Sequence, residues 1–205
     1  MNKTLKDFLG SIEQKNILTF EKFNNLSLQK IQESENVTLT ENEAMLLSYT
    51  KINIQRTFRI LKTFKPTGTL EKIISQINSP QTWFAITEDW CGDSAQNLPY
   101  FAKYAELNPN IDFNIILRDK NLELVDNYFT EGNARSIPKV VGFNSKGEEI
   151  FVWGARPKVA QELVTQLKND GFPKEEFNKK LHLWYAKNKG KELEKELITL
   201  FKKLT

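Results

Sequence analysis

One cysteine and one histidine in 205 residues remove several chemistries at once. A lone cysteine permits no intrachain disulfide, and with a single histidine it cannot furnish a Cys/His zinc site, so no metal is expected. Apolar runs end after a few residues, which excludes a membrane-spanning helix and argues against a membrane partner. The opening segment, Met1-Asn2-Lys3-Thr4-Leu5-Lys6-Asp7-Phe8, lacks the apolar stretch and small-residue cleavage site of a secretory leader, so the cytoplasm is the expected compartment. There is no internal repeat, no Gly-rich phosphate loop and no nucleic-acid motif. There is also no net charge outside the tail, where 20 basic residues face 20 acidic ones. Residues 170–205 carry nine lysines and no arginine against five glutamates and one aspartate, which accounts for the whole net charge of +3. Those lysines alternate with glutamates, as in Glu192-Leu193-Glu194-Lys195-Glu196, the pattern of a solvated helix face and not of a phosphate- or lipid-binding surface.

The composition that remains, 40% apolar and 27% charged, is that of an ordinary globular chain. Three regions follow one another. Residues 1–65 read as a helical extension: Leu5, Phe8, Leu9 and Ile12 fall at helical spacing, and Ile17, Phe20 and Phe23 start a second apolar face. Thr40 with Glu43 forms a capping box that opens a long helix through Leu46, Tyr49, Ile52 or Asn53, Arg56 and Ile60, closed near Phe64-Lys65-Pro66. Residues 66–168 change character. A short helix with Leu70, Ile73, Ile74 and Ile77 on one face leads into the β-prone run Thr82–Thr87 and a helix over 91–107. A second strand carries Ile111, Phe113, Ile115 and Leu117, and a helix with Leu122, Leu124, Val125 and Phe129 ends before Gly132. A hairpin turns on Asn144-Ser145-Lys146-Gly147, and a last helix starts at Pro157. This order specifies an α/β fold, a mixed sheet with helices on both faces. Residues 169–205 form a C-terminal helical extension, with stripes Phe177/Leu181/Trp184 and Leu193/Leu197/Leu200 separated at Gly190.

The segment with chemistry in it is Glu88-Asp89-Trp90-Cys91-Gly92-Asp93-Ser94, at the strand-to-helix junction. A cysteine at a helix N-terminus meets unpaired backbone N–H groups and the positive end of the macrodipole, which favour the thiolate. Ser94, one turn later, can donate to the sulfur. Glu88, Asp89 and Asp93 oppose this.

These residues, with their surroundings, resemble the thioredoxin-like superfamily over about residues 66–168. The strand Trp83–Thr87, the Trp90-Cys91-Gly92 approach, Pro99 eight residues after the cysteine, Ile137-Pro138 ahead of the hairpin and Gly154 after it stand in the family's order. The segment 87–97 looks like a bacterial thioredoxin-like subgroup. The resemblance implies a thioredoxin-like fold, a cis-proline loop at Ile137-Pro138 facing the cysteine, and a site in which Cys91 and Ser94 are catalytic. Trp90, Gly92, Asp93, Ile137 and Pro138 would then contact substrate. It also defines departures. Serine replaces the second cysteine at position 94, and Ala85 stands where many thioredoxins bury an acid. Cys91 can therefore open a disulfide but cannot release itself from the mixed disulfide. A low-molecular-weight thiol such as glutathione would do so as co-substrate, with no resident cofactor.

Three readings stay open: a monothiol thiol-disulfide oxidoreductase acting on protein or small-molecule disulfides or thiols, a non-catalytic thioredoxin-fold binding or scaffold module, and an inert buried cysteine. Cys-Gly-Asp-Ser is also similar to the Cys-Gly-Phe-Ser of monothiol glutaredoxins, some of which hold iron–sulfur clusters. His182 reads as a surface or interhelical residue of the tail, and Arg135 as a solvated loop arginine or a carboxylate binder. No feature specifies an oligomeric state.

Overall fold

The computed structural model describes residues 4–10, 12–66, 68–128 and 134–203. At the centre are strands β2 (Gln81–Thr87) and β3 (Ile111–Leu117), parallel and joined by the crossover helix α5 (Gly92–Ala105). The hairpin β4 (Lys139–Asn144) and β5 (Glu149–Gly154) adds antiparallel to β2, giving the order β1-β3-β2-β4-β5. This is the α/β, thioredoxin-like architecture, a mixed sheet flanked by helices with helical additions at both ends.

The outer strand β1 (Ile17–Thr19) corrects the sequence reading, which took this stretch as helical. It pairs antiparallel with β3, Leu18 opposite Ile115. Three residues are too few to show a period-2 pattern, so pairing with β3 decides their conformation. Thr19 then caps α2 (Phe20–Glu33) by accepting a hydrogen bond from the Lys22 N–H.

β2 is buried on both faces, and its alternation splits the core in two. Trp83 and Ala85 face α5, α4 (Gly68–Ser75) and α9 (Lys191–Phe201). Phe84 and Ile86 face Phe8 on α1 (Leu5–Leu9) and Leu124 and Val125 on α6 (Leu122–Asp126). Trp83 is fully buried; Phe201 of the tail lies with its ring centroid 5.1 Å from it, and the Trp83 Nε1–H donates to Gln81 Oε1 at 3.0 Å. Full burial of an indole with its N–H satisfied makes Trp83 a large single contributor to the core. Phe129 and Gly132, the far end of the helix expected before the hairpin, lie outside the described residues.

The long helix α3 (Glu41–Thr63) starts at the Thr40–Glu43 capping box, as the sequence specifies. Its buried stripe shares Asn53 and Ile60 with the expected one and differs elsewhere. Leu47, Thr50, Asn53, Thr57 and Ile60 face inward, whereas Tyr49 and Ile52 are exposed. α3 packs against α5 and the cysteine loop, whose backbone polar groups need partners. Asn53 Nδ2 supplies one by donating to the Asp89 carbonyl at 3.1 Å.

The tail turns back onto this core. α7 (Lys158–Asn169) packs Ala160 and Val164 against Leu181 and Tyr185 of α8 (Lys174–Asn188). Lys189 and Gly190, at φ +53° and +81°, make the reversal into α9, at the break expected from Gly190. Phe177 and Trp184 are only half-buried; Tyr185 carries the inner face of α8.

Candidate functional site

Cys91 is the N-cap residue of α5, at the strand-to-helix junction expected from sequence. Across from it the Ile137–Pro138 peptide bond is cis, and the thiol donates to the Ile137 carbonyl oxygen at 3.3 Å. Gly154, at φ +122°, passes so close to this loop that a Cβ there would lie 2.1 Å from the Pro138 oxygen. Only glycine lets the end of β5 cross behind the proline. Beside it Lys139 is buried with its Nζ donating to the Gly154 carbonyl at 3.1 Å, and burial lowers its pKa.

The state of the thiol departs from expectation. The sequence places Cys91 where a helix N-terminus favours thiolate. In the structure it is 8% exposed, and burial, followed by the carboxylate of Asp93, pushes its pKa up to about 11. The Ser94 hydroxyl and the Ser94 and Asp93 N–H groups act toward thiolate and are outweighed. Desolvation of an anion wins over dipoles here because helices α2 and α3 close the back of the site. Ser94 is itself buried, and its oxygen accepts from the Thr87 hydroxyl.

The other residues singled out from sequence divide into two groups. Trp90 is half-buried with the Arg118 guanidinium 4.7 Å above its ring. Together with Gly92, Ile137 and Cys91 itself it lines a cleft of about 340 Å³. Asp93 lines the same cleft but has both oxygens engaged inside the protein: Oδ2 accepts from Arg156 and Oδ1 from the Tyr185 hydroxyl at 2.6 Å. Arg135 pairs with Asp126 at the rim, so it is neither free nor simply solvated.

Several participants have roles that the sequence did not disclose. His182 is interhelical, as read, but it belongs to the site: a Cβ on Gly92 would lie 2.7 Å from its Cε1. Burial, then Arg56, lowers its pKa to about 4, and Gln96 Nε2 approaches its Nδ1 at 3.4 Å. The imidazole is therefore neutral near pH 7, with Nε2 as the protonated nitrogen when Gln96 donates. Asp89 is held by Lys30 of α2 at 2.9 Å. Glu88, buried, accepts from the Asp119 N–H at 2.7 Å, and burial raises its carboxyl pKa to about 7. For Asn53, which holds the Asp89 carbonyl, a signal existed: Thr50, Asn53 and Thr57 make a polar stripe along α3, which a helix packed on an apolar surface would not carry. The site of Tyr185 had none, because it falls one residue beyond the apolar spacing that included Trp184.

Among the described residues no group of three or more His, Cys, Asp and Glu side chains could hold a metal ion, and no helix is long and apolar enough to cross a membrane.

A family model described as thioredoxin matches residues 39–168, more than half of the chain and a span that takes in α3. No curated protein matches the sequence. Among solved structures, a Pseudomonas aeruginosa protein of unknown function superposes with a TM-score of 0.50 at 14% identity, over 91% of this chain and 99% of that one. An HIV epitope-scaffold superposes at 0.51 and 14%, over 90% of this chain and 98% of that one. At this identity the likeness is one of fold, and its coverage reaches into the terminal helices.

Proposed function

The chain belongs to the thioredoxin family, and from that premise we propose that it is a monothiol thiol-disulfide exchange protein acting through Cys91 with an external resolving thiol. One observation carries the reading: Cys91 lines the cleft, with its sulfur 3.3 Å from the carbonyl that precedes the cis-proline. A disulfide seated there meets the nucleophile and the backbone of Ile137 together. The sulfur of Cys91 attacks one sulfur of the substrate, the substrate S–S bond breaks, and the departing thiolate takes up a proton. A small external thiol then attacks the mixed disulfide and regenerates the Cys91 thiol, because the chain contains no second cysteine. Ser94 and the first N–H groups of α5 favour the thiolate while it exists. Trp90, Gly92, Asp93 and Ile137 line the cleft, and Pro138 follows Ile137 behind it. The reaction is slow in the resting protein, since a thiol of pKa about 11 is almost wholly protonated at neutral pH.

That same burial favours a second reading, a thioredoxin-fold binding module whose cysteine is no longer a nucleophile. The rate of Cys91 alkylation against pH, together with mass spectrometry after incubation with small disulfides, separates the two. Exchange requires a mixed disulfide on Cys91 in the folded protein that an added thiol removes. If no adduct forms with any disulfide while the unfolded chain reacts freely, the exchange reading fails and the binding module stands.

A further inference from the structure

The cleft over Cys91 has an unusual charge. Five cationic side chains line it, Arg56, Arg118, Arg135, Arg156 and Lys174, against one carboxylate, Asp93. Three are already paired: Arg118 with Asp119, Arg135 with Asp126, and Arg156 with Asp93. Among the described residues Arg56 and Lys174 have no carboxylate partner. Lys174 is an exposed rim residue. Arg56 is half-buried, and its hydrogen bond goes to a neutral acceptor, Asn53 Oδ1, at 2.9 Å. Its NH1 lies 3.7 Å from the position of a Cβ on Gly92, directly beside the cysteine. A partly desolvated guanidinium with no counter-ion is an unfavourable arrangement that an anion relieves.

The walls restrict what can enter. α3 contributes Leu46 and Arg56 to the lining, and α8 contributes Phe177 and His182. A volume of about 340 Å³ matches a small molecule. Leu46 and Phe177 suit a short aliphatic chain, and the planar fork of Arg56 suits a carboxylate.

We propose that this cleft binds a small disulfide or thiol bearing at least one carboxylate, anchored by Arg56 with Lys174 assisting at the rim. The inference deepens the exchange reading and rests on it for the sulfur of the ligand; the carboxylate site itself follows from the cleft.

Binding is tested apart from chemistry on the Cys91→Ser protein by calorimetry. The probes are dithiodipropionate, a dianion, and hydroxyethyl disulfide, its neutral counterpart of similar size. The dianion is expected to bind about tenfold more tightly or better, with Arg56→Gln removing about tenfold and Arg56→Lys retaining part of it. Equal affinity for the two probes, no binding of the dianion, or a folded Arg56→Gln protein with undiminished affinity overturns the proposal. Should Arg56→Gln fail to fold, Lys174→Gln is read instead, with a loss of a few-fold expected and no loss counting against the proposal. The rates of mixed-disulfide formation at Cys91 with the same two probes are measured separately. Reaction with neither sinks the exchange reading and leaves the carboxylate site standing; reaction with both at equal rates sinks the carboxylate preference and leaves exchange standing.

Discussion

Tyr185 on α8 donates its hydroxyl hydrogen to Asp93 Oδ1 at 2.6 Å, joining the C-terminal helices to the first turn of the cysteine helix. The same oxygen of Tyr185 accepts from Asn97 Nδ2 at 3.1 Å, and Arg156 binds the other oxygen of Asp93. Asp93 thus neutralises the Arg156 guanidinium and anchors the tail, and its charge raises the Cys91 pKa as a consequence.

Tyr185→Phe deletes two buried hydrogen bonds, one to Asp93 and one from Asn97, and leaves an acceptor on Asp93 unmet. The expected loss is about 1.5 kcal/mol, or roughly 4 °C in Tm. Asp93→Ala strands the Arg156 cation and should be worse, about 3 kcal/mol. Urea denaturation measures both; a Tyr185→Phe protein as stable as the parent refutes the anchoring role.

Gly92→Ala puts a Cβ 2.7 Å from the His182 ring. Alone it should destabilise by about 1–3 kcal/mol through overpacking. In a His182→Ala background the clash is gone, and the same change should be neutral or slightly stabilising, since alanine restricts the unfolded chain more than glycine does. A double-mutant cycle reads the difference, and strict additivity contradicts the contact.

Glu88 and His182 oppose each other in pH. Burial raises Glu88 from 4.5 to about 7, so the native state holds an extra proton in that interval. Its contribution is present below pH 4.5 and is lost as pH rises through 7. Burial lowers His182 from 6.5 to about 4, so its contribution is present above pH 6.5 and is lost as pH falls through 4. Between 4.5 and 6.5 the two offset one another, each on the order of 2 kcal/mol. Glu88→Gln should steepen the loss of unfolding free energy on acidification across this window, and His182→Ala should steepen the loss on the way up to pH 7. Parallel curves for the parent and both variants would rule out these titrations.

Gly154→Ala forces a methyl onto the Pro138 oxygen at 2.1 Å and requires a side chain at φ +122°. The expected cost is about 3 kcal/mol. Where the variant still folds, displacement of the Ile137 carbonyl from the sulfur should speed Cys91 alkylation. An unchanged alkylation rate in a destabilised but folded variant would show that this carbonyl does not cover the thiol.

Periodicity resolved the central elements because their signals are local and long enough to read. β2, β3, the hairpin and the capping box of α3 each carry their pattern within one segment, and Pro138 and Gly154 are legible as residue types that a tight backbone approach demands. β1 was not legible, since three residues have no period. On the inner face of α3, Asn53 and Ile60 were read correctly, whereas Leu46, Tyr49 and Arg56 were each placed one position early, because Thr50 and Thr57 are buried and apolar spacing does not register them.

The sequence alone determined that Cys91 would head a helix behind a strand, that no second cysteine could resolve it, and that the fold would be of the thioredoxin kind. Those conclusions depend on residue identity and on order along the chain. Tertiary structure alone decided the ionisation of the thiol, the membership of His182, Tyr185 and Arg56 in the site, and the charge of the cleft. The opposing charge of Asp93 is local to the cysteine, but desolvation depends on distances across the fold, and the residues that bury the thiol and line the cleft come from α2, α3 and α8, far from the cysteine in sequence.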